Sequence, residues 1–193
     1  MMSTFLKNTY WLGLAVVLLA AGCSKEDDPD PVNEGEEFTT VEFTLTPTSG
    51  SPIVISYKDL DGEGGNAPVF SPSLLSLAAN TTYTTKLRFI NESVSPAEDI
   101  TPEIETEESD EHEVYYVASS GLPVTVSGRN ADKNGKPLGT TATLATAAAA
   151  TSPGTLTITL KHKPATDYPA KTDNDPITKG ETDVEVIFPA EVK

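Results

Sequence analysis

The sequence predicts an all-β domain, an antiparallel β-sandwich of immunoglobulin-like type with seven or eight strands. Three observations predict it. Apolar and polar residues alternate with period two in eight short segments. Turn-forming residues separate those segments. No amphipathic helix of useful length interrupts them. Successive side chains of a strand point to opposite faces, so this alternation marks sheets with one buried face. Two such sheets packed together form a sandwich, and a closed barrel is the architectural runner-up.

The segments follow in order. Val41, Phe43 and Leu45 alternate with Glu42, Thr44 and Thr46. Ile53, Ile55 and Tyr57 make a second set. Tyr83, Leu87 and Phe89 make a third, with Lys86 and Arg88 on the other face. Val114 and Tyr116 lie on a short fourth strand, and Leu122, Val124 and Val126 on a fifth. Ala142 and Leu144 suggest a weaker sixth. Leu156, Ile158 and Leu160 alternate with threonines in the clearest strand, and Val184, Val186 and Phe188 come last. Asn134-Gly135 and Pro153-Gly154 mark tight turns, since Asn-Gly supplies positive φ at low cost. The alanine run 145–150 favours helix but is too short to form one alone.

The start of the chain reads as an address. Lys7 precedes an apolar run from Trp11 to Ala21. A membrane-spanning helix needs about 20 apolar residues, so this shorter run fits a secretion signal over 1–22. Leu19-Ala20-Ala21-Gly22-Cys23 resembles a bacterial lipobox, although Ala20 stands where leucine is usual. Cys23 is the chain's only cysteine, so a disulfide within the chain is excluded and lipid attachment at Cys23 is expected. Ser24, Lys25, Glu26, Asp27 and Asp28 resemble the surface-export signal of Bacteroidota lipoproteins. An acidic, proline-containing tether then covers 23–37, and a single domain covers 38–193.

From Cys23 onward the chain keeps all 29 acidic residues and all but Lys7 of the 13 basic ones, a formal charge of −17. Nucleic acid is excluded as a partner, because binding it requires basic patches. A membrane contact through the anchor is expected, and an acidic surface attracts cations. No residue pattern identifies a protein or small-molecule partner.

The residues that suggest chemistry are few. Asp59, Asp61 and Glu63, with Gly64 and Asn66, resemble the first half of a calcium loop. Phe70 stands where a bidentate glutamate would close that loop, so calcium would be held in a looser manner, with turn capping as the alternative. The stretch from Asn91 to Glu113 carries ten carboxylates and no lysine or arginine. Poor periodicity and two prolines predict an irregular loop there. His112 sits between Glu111 and Glu113, His162 stands at the end of a strand with the parity of Leu156, Ile158 and Leu160, and the two would ligate a metal or haem only if the fold brought them together. No hydrolase signature is present, and tyrosines alone would have to provide any sugar platform. The chain is therefore expected to be non-enzymatic.

The signal and cysteine, with Lys58-Asp59-Leu60-Asp61-Gly62-Glu63-Gly64-Gly65-Asn66-Ala67-Pro68 and Leu77-Ala78-Ala79-Asn80-Thr81-Thr82-Tyr83, resemble small Bacteroidota outer-membrane lipoproteins of unknown function. So do Glu111-His112-Glu113-Val114-Tyr115-Tyr116, the segment 156–162 and the segment 181–186. Such proteins sometimes carry the label of a type 1 periplasmic binding fold. That fold needs two α/β lobes and long helices, which this sequence does not provide. The resemblance implies a lipid-anchored binding or accessory module of the outer membrane, with a metal- or haem-scavenging lipoprotein as the alternative. It brings no catalytic residues.

Overall fold

A computed structural model describes residues 37–62, 64–150 and 152–193. In chain order these form β1 (Thr40–Pro47), β2 (Ile53–Lys58), β3 (Val69–Ser71), β4 (Leu75–Leu77), β5 (Thr82–Asn91), β6 (Glu98–Asp99), α1 (Thr101–Thr106), β7 (His112–Ala118), β8 (Val124–Ser127), β9 (Thr141–Thr146), β10 (Gly154–His162) and β11 (Glu181–Val192). All eight alternating segments fall on strands, although Leu122 of the fifth lies just before β8. β3, β4 and β6 were not expected, being only two or three residues long.

Two sheets result, and the all-β expectation holds. A seven-stranded sheet runs β3-β2-β1-β5-β9-β8, with β6 added to β5, and a four-stranded sheet runs β4-β11-β10-β7. Every pairing is antiparallel except that of β11 with β4. Val41, Phe43, Leu45, Leu87 and Phe89 from the first sheet share one core with Leu156, Ile158, Leu160, Val186 and Phe188 from the second. Phe43 of β1 stacks on Phe188 of β11 with ring centroids 6.0 Å apart. Each such side chain contributes about 1.5–3 kcal/mol on leaving water, so these rows decide which face of each strand turns inward. Val117 and Ile187, of opposite parity, are each 51 % exposed.

The acidic stretch is more ordered than the sequence suggests. Ile100 and Ile104, four residues apart, are buried and hold α1 against the core. Thr101 Oγ1 accepts a hydrogen bond of 2.8 Å from Phe89 N. Two apolar side chains one turn apart are enough to anchor a short helix, while the carboxylates around them stay in water. α1 leads through a turn into β7. Among the described residues, no helix is long and apolar enough to cross a membrane.

A long connection, 163–180, joins β10 to β11 and is pinned by buried ions. Lys163 pairs with Glu113, and its Nζ lies 3.6 Å from Asp175 Oδ2. Glu113 also takes Arg129, at 2.9 Å. Lys171 Nζ pairs with Asp132 Oδ2 at 2.9 Å and donates to the carbonyls of Ser109 and His112. Burial pushes the Lys171 ammonium down, against the pull of Asp132. A buried charge lacking such partners would cost several kcal/mol, so the connection is held where its charges are matched.

Candidate metal centre

β7 and β10 are neighbours, and their register places His112 directly opposite His162. His112 has the parity of Val114 and Tyr116, and His162 that of Leu160 and Ile158, so both turn toward the core at one end of the sandwich. Directly opposed side chains in an antiparallel pair come close. Here the two imidazoles stack with centroids 4.4 Å apart and planes 7° from parallel.

Carboxylates surround the pair. Glu108, one turn before β7, places Oε2 3.7 Å from His112 Nδ1. Its carbonyl oxygen is nearer that nitrogen, at 3.2 Å. Asp183 of β11 places Oδ2 3.5 Å from His112 Nε2. Glu111 places Oε2 3.5 Å from His162 Nε2. The His112 side chain is 1 % exposed and that of Glu108 37 %, so the group runs from the core to the surface.

One ligand atom each from Glu108, His112 and His162 lies within 4.8 Å of the others. This is a possible metal site, partly buried. Two imidazoles with one carboxylate form a donor set suited to zinc and its neighbours, with a further position left for water. Donors around one zinc ion, each about 2 Å from it, stand roughly 3.3 Å apart. The three groups would therefore draw inward. The rings would also have to splay, because each nitrogen lone pair lies in its ring plane and parallel planes do not meet.

The two histidines that the sequence marked are thus brought together. Glu108 and Asp183 were not singled out, since neither carries a local signal amid so many acids.

The Asp59 loop is arranged differently. Asp59 Oδ1 accepts from Gly62 N at 3.0 Å, and Asp61 Oδ2 accepts from Asn66 N at 2.9 Å and from the Asn66 side-chain amide. These are turn-capping bonds. The Asn66 backbone N–H first, and its side-chain amide second, hold the Asp61 carboxyl below its ordinary range. Glu63, Cys23, Ser24, Lys25, Glu26, Asp27 and Asp28 lie outside the described residues.

No family model, curated protein or solved structure matches this chain. The reading of the centre rests on its geometry.

Proposed function

We propose that this chain is a non-enzymatic binding module whose ligand is a divalent transition-metal ion held by Glu108, His112 and His162. The observation that carries the reading is the His112–His162 register pair with Glu108 beside it. Nitrogen donors favour zinc, copper or nickel over calcium and magnesium, which take oxygen. A bare ion also suits the geometry better than haem. Axial haem ligands flank the porphyrin from opposite sides, whereas these imidazoles are stacked face to face at 4.4 Å. The two sheets with their ligand groups at one end support the immunoglobulin-like display arrangement.

The address belongs to the same proposal. Lipid on Cys23 would anchor the module in the outer membrane, and Ser24 to Asp28 would carry it to the cell surface. Lipid attachment is tested in cells: Cys23→Ala is expected to abolish incorporation of labelled fatty acid, and normal incorporation in that variant would remove the anchor.

Metal binding is tested by thermal unfolding. A ligand that binds only the folded state adds about 2.7 kcal/mol at a hundredfold excess over Kd. For a chain of this size that raises Tm by about 5–10 °C. Zinc is expected to give such a rise in the wild type and none in His112→Ala/His162→Ala. An equal rise in the double variant would refute the site. Calcium at Asp59, Asp61, Glu63 and Asn66 is a second reading, in which the ion competes with the turn-capping roles of Asp59 and Asp61.

A further inference from the structure

β11 does not run in regular register along β10. Leu160 lies opposite Val184, but Lys161 lies opposite Thr182, so Asp183 is an extra residue with no counterpart on β10. This is a β-bulge, a device that re-aims a side chain. The flanking pairs show what it changes. Val184 keeps the inward parity of Val186 and Phe188, while Thr182 faces outward and accepts a 2.8 Å hydrogen bond from Lys161 Nζ. Between them, Asp183 Oδ2 sits 3.5 Å from His112 Nε2. That oxygen is buried and accepts no hydrogen bond. Its side chain is 12 % exposed and lines a cleft of about 420 Å3 together with Glu37, Asp59 and Glu185.

A buried carboxylate oxygen without a donor is costly unless something makes use of it. His112 supplies the use. Its Nδ1 is the nitrogen beside Glu108, at 3.7 Å from the carboxylate, and can bind an ion only when it carries no proton. A proton on Nδ1 would point instead at the Glu108 carbonyl, 3.2 Å away. The two nitrogens therefore compete for one proton, and a carboxylate at Nε2 decides the competition.

We propose that Asp183 is a positioning residue of the metal centre: it accepts the Nε2 proton of His112 and so leaves the Nδ1 lone pair for an ion shared with Glu108 and His162. This rests on the metal reading above. In the metal-bound form the proton of His112 stands on Nε2, where Asp183 receives it as a hydrogen bond. The carboxylate also holds the ring against rotation. Partners of this kind typically change metal affinity 10- to 100-fold.

The test uses zinc and the full chain. Zinc affinity is measured by chelator competition for the wild type, Asp183→Asn and Asp183→Ala, with circular dichroism confirming the fold of each. Long-range 1H–15N spectra of His112 report which nitrogen carries the proton. The expected results are a 10- to 100-fold loss of affinity in both variants, and a wild-type zinc form with Nε2 protonated and Nδ1 bound to metal. Asp183→Asn keeps the shape of the side chain, so a loss there cannot come from a cavity. Wild-type binding with both variants within twofold of it overturns the proposal and leaves the metal reading standing. Zinc on Nε2 of His112 overturns it too, since Asp183 would then be a direct ligand. A wild type that takes up no zinc overturns the metal reading and this proposal together.

Discussion

At the scale of single residues, the centre depends on where two imidazole rings stand, and the backbone beside them is unusually close. Gly180 has φ +90° and approaches the carbonyl of His162 so nearly that a Cβ would stand 2.5 Å from that oxygen. Gly180→Ala must both adopt a left-handed backbone and push the end of β10 away. The expected cost is about 1–3 kcal/mol, read by denaturant unfolding. Zinc affinity should fall with it, because His162 moves; unchanged affinity at reduced stability would show that the ring adjusts independently. The sequence carried half of this site. The parity of His112 with Val114, and of His162 with Leu160, is visible in a string of letters. Their opposition across β7 and β10 is not, because register is a long-range property set by the whole sheet. Asp183 was less legible still. A bulge has no glycine or proline here to announce it, and in a chain this acidic one more aspartate stands out only when a nitrogen is found 3.5 Å away.

Among elements, the eight alternating strands were legible because each buries a row of side chains, while β3, β4 and β6 are too short to carry a period. The acidic stretch was misread as irregular for a related reason. Ile100 and Ile104 are the only pair that marks α1, and the carboxylates around them dominate the composition. The connection 163–180 has no periodicity at all, and ions do the work of a core. Asp175 is its clearest member. Burial pushes its carboxyl up, but hydrogen bonds from Lys179 and Thr172 more than reverse this and hold it down to about 2. A folded-state pKa below the unfolded value contributes stability that is present above about pH 4 and is lost as pH falls through about 2. The contribution is about 2 kcal/mol at neutral pH. Asp175→Asn should therefore unfold more easily at pH 7 by about that amount and lose less on acidification toward pH 2 than the wild type does. Parallel acid titrations followed by circular dichroism would show it; equal acid sensitivity in the two proteins would mean that the connection is held by other groups.

For the whole molecule, charge decides which cation effects are specific. A formal charge of −17 from Cys23 onward draws any divalent ion to the surface, where the ion relieves self-repulsion, so every such ion should stabilise the fold to some degree. Screening of this kind depends on valence and ionic strength, not on the identity of the ion. Calcium and magnesium at equal concentration are therefore expected to raise Tm equally, by a small amount that added monovalent salt reproduces. Asp59→Ala/Asp61→Ala should leave that response in place, because both carboxylates serve their own turns through Gly62 and Asn66. A calcium increment above magnesium, erased by that double variant, would instead give the loop an ion of its own, since magnesium gives up its water reluctantly and demands a tighter octahedron. Zinc should behave unlike either. Its increment should persist in salt, because a coordinated ion is not screened away, and should disappear in His112→Ala/His162→Ala while the calcium and magnesium responses remain. Screening acts through the surface as a whole, and coordination acts through three side chains at one end of the sandwich. If zinc loses its increment as salt is added, the stacked histidines are not holding it, and the acidic surface accounts for all three ions.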